Sequence, residues 1–287
     1  MRLLIIGGSG FLGGELARQA VAAGHETAAT RTTAPPDTPP DTLRGGPADV
    51  SWHTLDLRDP ERLTEVLARV APSVVVNASS GGADWAVTAE GGVRVARAAA
   101  RRGCRLVHVS SDAVFSGDGG PYDETRLPDP VTPYGAAKAA AETGVRLLAP
   151  DAVVVRTSLI IGDGHALSEH ERHVHDLVAG DRDGALFTDV VRCPVQVGDL
   201  AAALLELAAS TAAGVRHVAG ADALTRHELG VLVARRDGLD PTRLPAGRQA
   251  DGARRGALDV RLDSRVTRRD LRTRLRGARE FLAEPRG

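Results

Sequence analysis

The stretch "LLIIGGSGFLGG", residues 3–14, carries two glycine rulers at once. Gly8, Gly10 and Gly13 spell G-x-G-x-x-G, while Gly7, Gly10 and Gly13 spell G-x-x-G-x-x-G. Both follow an apolar run that reads as a strand. Both also lead into residues 11–23, whose apolar spacing is helical and which Gly24 terminates. In that setting the first glycine permits a tight strand-to-helix turn. Gly10 then lets backbone approach a pyrophosphate, and Gly13 lets the helix pack closely on the sheet. The helix N-terminus faces the anion. Spacing alone leaves Gly7 and Gly8 both open as the leading glycine, and a ruler alone can mark mere turn chemistry. Its place after the first strand is what gives it weight.

Outward from the loop, "ETAAT" reads as a second strand that ends at Thr30, Arg31 and Thr32 with no acid. An acid there would bond the ribose 2′-hydroxyl of NAD, whereas Arg31 beside hydroxyls suits a 2′-phosphate, so NADP is expected over NAD. The plainer alternative is that Arg31 is a solvated loop residue. Residues 33–50 are Pro/Gly-rich and read as a loop. "SWHTLDL" follows, and then a helix with Asp59 as N-cap and Pro60 at its first position. "SVVVNAS", "RLVHVSSD" and "AVVVRTSLIIG" read as strands; residues 84–102 and 132–148 read as the helices between them. Continuous β-branched strands separated by helices predict an α/β, Rossmann-type doubly wound parallel sheet covered on both faces. Ligands then bind at the carboxyl ends of the strands. Beyond Gly162 the rhythm loosens into strand–helix pairs at 193–210 and 215–236 and a final amphipathic helix around 264–282. The expected organisation is a dinucleotide-binding domain over 1–160, with part of 190–235 returning to it. Residues 161–287 would form mainly a smaller, interleaved substrate-binding lobe.

Composition narrows the function classes. The chain has 287 residues, 43% of them apolar, and a net charge of −1, as an ordinary globular protein does. No apolar run approaches a membrane span, and the N-terminal apolar run is too short for a signal-peptide core. Cys104 and Cys193 supply neither a disulfide framework nor ligand spacing, so a cytoplasmic setting is expected. From Arg243 onward thirteen Arg face six acids, but no aromatic pattern accompanies them. A phosphate-bearing small substrate or a solvated surface therefore fits better than nucleic acid. His165, His170, His173 and His175 match no H-E-x-x-H spacing, so no metal is expected; a histidine contacting substrate stays open. Arg156 and Arg192 could serve a substrate phosphate or structural ion pairs, and Trp52 and Trp85 read as packing residues.

Of 36 basic residues only Lys138 is a lysine, and it stands four residues after Tyr134, one of two tyrosines. On the predicted helix that spacing puts both side chains on one face. A phenol near pKa 10 is a poor proton donor at neutral pH, and a neighbouring ammonium pulls it towards the working range. Ser110 and Ser111 stand at the carboxyl end of a strand, where a hydroxyl could polarise a carbonyl.

These residues resemble the extended short-chain dehydrogenase/reductase family, in particular its dTDP-4-dehydrorhamnose reductase branch. The likeness runs through "GGSGFLG", "NAS", "VHVSSDAVFSG", "PYDE", "TPYGAAKAAAE", "VVVRTSLIIG" and "LDVRLDS". The resemblance implies the Gly7–Gly10–Gly13 ruler with Gly8 as a passenger, and cofactor contacts from Gly7, Ser9, Gly10, Phe11, Leu12 and Gly13. Asp56 and Leu57 would lie near the adenine, and Asn77, Ala78 and Ser79 along the cofactor groove. Tyr134 would protonate the substrate carbonyl, Lys138 would bond the nicotinamide ribose, and Ser111 would bind the same carbonyl oxygen. The implied reaction is NADPH-dependent reduction of a nucleotide-linked 4-keto-6-deoxy sugar, and a homodimer stays open. Three positions depart from the branch on the substrate side: Ala113 replaces an aromatic residue, Thr88 an asparagine, and Arg255-Gly256 an Arg-Pro. They leave room for another ketone, for an epimerase, or for a non-catalytic NADP-binding subunit similar to the β subunit of methionine adenosyltransferase.

Overall fold

A computed structural model describes residues 1–32, 49–164, 166–252 and 256–283. The Pro/Gly-rich stretch 33–48, His165 and Arg255 lie outside the described residues. Along the chain run β1 (Arg2–Ile6), α1 (Phe11–Ala22), β2 (Glu26–Arg31), β3 (Val50–Thr54), α2 (Pro60–Val70), β4 (Val74–Asn77), α3 (Gly91–Arg101), β5 (Arg105–Ser111), α4 (Pro133–Leu148) and β6 (Val153–Thr157). There follow β7 (Ile160–Ile161), α5 (Glu169–Ala179), β8 (Leu186–Phe187), β9 (Val191–Arg192), β10 (Val195–Gln196), α6 (Val197–Ala209), β11 (Gly214–His217), β12 (Leu224–Thr225), α7 (Arg226–Arg236), β13 (Ala246–Gly247), α8 (Arg265–Asp270) and α9 (Ala278–Phe281). None of the described helices is long and apolar enough to cross a membrane.

The chain divides into two compact units. The first comprises Met1–Ser111, Pro133–Val155 and Ala201–Arg216. It is built on a seven-stranded sheet in the order β11-β6-β5-β4-β1-β2-β3, with β1, β2, β3, β4 and β5 paired in parallel. This is the expected Rossmann-type sheet. Leu3, Leu4, Ile5 and Ile6 of β1 are all at most 1% exposed, so both faces of the central strand are covered. Leu4 and Ile6 join a core with Leu63 and Leu67 of α2, Val95 and Ala99 of α3 and Val145 of α4, while Leu3 and Ile5 alternate to the other face. The Asp59 carboxylate accepts from the Arg62 amide at 2.9 Å, capping α2 as its sequence predicts. The helix expected over 84–102 is less regular: a π turn at Ala86–Glu90 precedes α3. Gly91 and Gly92 then sit where a Cβ would lie 3.0 Å from Leu57 and from Ala141. The strand expected over 152–162 breaks into β6 and β7.

The second unit comprises Asp112–Thr132, Arg156–Leu200 and His217–Gly287. Its core sets Val174, Leu177 and Val178 of α5 against Leu229 and Val233 of α7 and Phe281 of α9. Arg236 bridges the two longer helices from a dry position, 2.7 Å from both Glu171 and Asp237. The continuous final helix expected over 264–282 is not formed. Leu271 is extended at φ −94° and ψ 140°, which ends α8, and Arg276 turns its amide and guanidinium to the Asp199 carboxylate. The Asp222 carboxylate then accepts from the Arg279 amide at 2.8 Å where α9 starts. Competing side-chain acceptors outweigh helix propensity in this arginine-rich segment.

Candidate active site

The glycine loop folds over a cleft of about 340 Å³ at the carboxyl ends of β1, β2 and β4. Gly7, Ser9, Gly10, Phe11, Leu12, Gly13, Arg31, Asp56, Leu57, Ala78 and Ser79 all line it, and Asn77 lies buried beneath. Thr30, Thr32, Leu55, Ser80 and Val87 also face the cleft, beyond the residues singled out from sequence. Gly7 has φ +84°, and a Cβ there would stand 2.9 Å from Ser79 backbone. A Cβ on Gly13 would stand 2.1 Å from the Gly7 carbonyl oxygen. Gly8 is no passenger: a Cβ there would meet the Ala29 methyl at 2.6 Å, so close approach to β2 also demands glycine. The Gly7 amide donates to Thr30 Oγ1 at 3.1 Å, tying the loop to the end of β2.

Among the described residues no side chain caps α1, and no acid stands in its first turn, so its N–H groups and dipole favour an anion there. At the end of β2 the Arg31 guanidinium lies 5.3 Å from the centroid of Trp52, and its buried Nε has no hydrogen-bond partner among the described residues. Trp52 thus supports a cation as well as packing. The Asp56 carboxylate accepts from the Arg58 amide at 2.9 Å, a bond that holds its pKa below the usual range.

Lys138 is 3% exposed inside α4. Its Nζ donates to the Val109 carbonyl at 3.0 Å and, more weakly, to that of Ser79 at 3.5 Å. The lysine therefore joins the ends of β4 and β5, and burial pulls its pKa from 10.5 to about 8 against the opposing pull of Glu142. Tyr134 stands half-buried one turn earlier on the same face, and Ser111 closes β5, also half-buried. Ser110 points elsewhere: 2% exposed, it donates to Glu142 Oε1 at 2.5 Å. Asn77 Oδ1 accepts from the Ser79 amide and hydroxyl at 3.2 and 2.6 Å. Asn77 Nδ2 lies 3.2 Å from Nδ1 of His108, a buried imidazole held near pKa 3 by burial and the Lys138 charge.

In the second unit Arg156, Arg192, His170 and His175 are held by structural contacts. Arg156 is 1% exposed, its guanidinium 4.9 Å from the Phe115 centroid and donating to the Arg126 carbonyl at 3.0 Å. Arg192 donates to the Leu258 and Ala257 carbonyls and lies 3.6 Å from Asp112, which also accepts from the Ser158 hydroxyl at 2.6 Å. His170 Nδ1 is 3.4 Å from Arg226, and His175 Nε2 is 2.7 Å from Asp237. Among the described residues no group of three or more His, Cys, Asp or Glu is placed to hold a metal ion. In the first unit, Thr88 pins a turn by donating to the Gly82 carbonyl at 2.8 Å and accepting from the Gly81 amide.

A parallel sheet in this strand order, a glycine turn over a cleft and a Tyr–Lys pair one helical turn apart define an NAD(P)-dependent oxidoreductase of the extended short-chain dehydrogenase/reductase type. The family model described as RmlD substrate binding domain matches residues 1–284, and the chain belongs to that family. It is 32% identical over 259 residues to a dTDP-4-dehydrorhamnose reductase of Mycobacterium tuberculosis, covering 85% of this chain and 78% of the relative. A probable low-salt glycan biosynthesis reductase of Haloferax volcanii is 29% identical over 280 residues, covering 91% and 90% of the two chains. Among solved structures, a dTDP-4-dehydrorhamnose reductase of Bacillus anthracis in complex with NADP aligns with a TM-score of 0.79 at 20% identity, over 98% of this chain and 96% of the other.

Proposed function

We propose that the chain uses NADPH to reduce a keto group on a sugar nucleotide, in its finer form a nucleotide-linked 4-keto-6-deoxy sugar. The reading is supported by a relative named dTDP-4-dehydrorhamnose reductase and by another named as a probable glycan biosynthesis reductase. The observation that carries it is the dry Lys138 ammonium, fixed by two strand-end carbonyls on the helix face it shares with Tyr134.

The residues present fit the cofactor. A Cβ at Gly7 or Gly13 would strike neighbouring backbone, so glycine lets the turn close tightly over the cleft, and the Arg31 Nε, without a partner among the described residues and beside Thr30 and Thr32, suits a 2′-phosphate. Ser9, Phe11 and Leu12 would complete the pyrophosphate grip, Asp56 and Leu57 would flank the adenine, and Asn77, Ala78 and Ser79 would border the nicotinamide half. On this reading the first unit holds the dinucleotide and the second supplies most of the substrate lobe. Bound there, NADPH supplies a hydride equivalent to the carbonyl carbon. Tyr134 donates the phenolic proton to the carbonyl oxygen, so carbonyl plus hydride plus proton gives the alcohol. Ser111 donates a hydrogen bond to the same oxygen, and the Lys138 charge favours the phenolate left behind.

The test is NADPH oxidation against a panel of nucleotide-4-ketosugars and unrelated ketones. Tyr134→Phe is expected to lower kcat by about a thousandfold while the Kd for NADPH stays near the wild-type value. Wild-type rates in that variant would remove Tyr134 from the reaction. Turnover of ketones that lack a nucleotide would move the substrate class, and an isomeric product without net NADPH consumption would make the chain an epimerase.

A further inference from the structure

Beneath the proposed site lies a carboxylate that the reaction does not use. Glu142 is 2% exposed, on the buried face of α4 one turn beyond Lys138. The Ser110 hydroxyl, itself 2% exposed, donates to Glu142 Oε1 at 2.5 Å from inside β5. A buried charge without a counter-charge is costly, and a carboxylate fixed by a hydroxyl is an acceptor that cannot swing away. We infer that Ser110 and Glu142 form a positioning pair whose negative charge keeps the Lys138 ammonium protonated in its dry setting. The inference rests on the proposed reaction only for its consequence, since Lys138 must be charged to favour the Tyr134 phenolate.

The surroundings leave this role to Glu142. From β5, His108 also faces Lys138, but its imidazole is held near pKa 3 and stays neutral through the working range. From α3, Gly92 lies beside Ala141 and Val93 beside Gly144, both uncharged contacts on α4. The π turn before α3 buries Thr88 and Ala89, while its charged member Glu90 is exposed and paired with Arg94. On α4 itself Tyr134 stands one turn before the lysine. Burial lowers the lysine pKa to about 8, and Glu142 works in the other direction.

Because Lys138 is the only lysine, full-length protein grown with 13C-labelled lysine gives one Cε signal that needs no assignment. Its titration in wild type is expected to centre near 8. Glu142→Gln keeps the shape and an acceptor for Ser110 but removes the charge, and should lower that midpoint by about one pH unit or more. Glu142→Asp, which restores the charge, should recover most of the shift. Ser110→Ala keeps the carboxylate but lets it rotate away, so it should give a smaller drop in the same direction. The alkaline limb of kcat/KM should move with the midpoint in each variant. An unmoved midpoint in Glu142→Gln, or equal shifts in the Gln and Asp variants, would overturn the pair's role even if the enzyme turns over sugar nucleotides. Absence of ketone reduction in wild type would instead sink the reaction, while the lysine titration would still decide whether the pair holds the charge.

Discussion

A guanidinium stays charged in almost any setting and spreads five donors in a rigid plane, whereas an ammonium is compact and yields its proton when buried. That difference explains why a chain that uses arginine nearly everywhere keeps one lysine, at the dry junction of β4, β5 and α4. Tyr134 and Lys138 are legible in sequence because a four-residue spacing fixes a shared helix face whatever the tertiary structure. Ser110 and Glu142 are not, because their contact spans 32 residues and needs the register of β5 on α4. A glutamate on the apolar side of an alanine-rich helix, one turn beyond the lysine, is the only local signal of it. Arg31 lies between these cases. Its residue type is readable, but its seat over Trp52 follows from β2–β3 pairing, which puts Thr30 opposite His53 and Ala29 opposite Trp52. Arg31→Ala should raise KM for NADPH by about tenfold or more, the worth of a charged hydrogen bond, with little change for NADH. The ratio of kcat/KM for the two cofactors measures this, and a ratio equal to wild type would mean that Arg31 does not read the 2′-phosphate.

At the scale of elements, the β1–loop–α1 unit tests whether glycine spacing reports geometry or only composition. Four of its five glycines lie at Gly7, Gly8, Gly10 and Gly13, and each has backbone or side-chain atoms within 3.2 Å of where a Cβ would sit. Gly14, one residue further, has its nearest neighbour at 3.8 Å, an ordinary contact. Spacing leaves Gly7 and Gly8 open and the family resemblance ranks Gly8 lower, because such patterns encode the turn and the helix, not the approach of β2 from the side. Two adjacent substitutions should therefore have opposite signs. Gly13→Ala drives a methyl into the Gly7 carbonyl and should weaken both folding and dinucleotide affinity. Gly14→Ala should stabilise by about 0.5–1 kcal/mol through helix propensity, with affinity kept. Denaturant midpoints and NADPH titrations of the pair check this; two equal losses would mean that the loop tolerates no change at all, for reasons other than sterics. The single helix expected over 264–282 fails for the converse reason. Helical spacing is present there, but Asp199 and Asp222 take up backbone and side-chain donors from Arg276 and Arg279, a competition invisible in a local pattern.

For the whole molecule, continuous β-branched runs are enough to specify the parallel sheet, because only strands covered on both faces tolerate them. They also dictate what is buried with the sheet, and the molecule's response to acid follows from that. His108 in the first unit and His170 in the second are each held near pKa 3, well below the ordinary 6.5. Burial is the main cause for both, reinforced at His108 by Lys138 and at His170 by Arg226. Since the folded pKa is the lower one, an unfolded chain takes up protons below pH 6.5 that the folded chain refuses. Stability is thus retained above about pH 6.5 and lost as pH falls towards 3, at about 1.4 kcal/mol per pH unit for His108 once its unfolded form is protonated. Carboxylates enter only below about pH 5, so the interval from 6.5 to 5 isolates the imidazoles. His108→Gln keeps a hydrogen-bonding partner for Asn77 and cannot titrate. Its unfolding free energy, from urea midpoints at pH 7, 6 and 5, should fall less steeply than wild type by close to one proton's worth at the acid end of the interval. Parallel slopes for the two proteins would mean that His108 is protonated in the folded state, and hence that water reaches its buried ring.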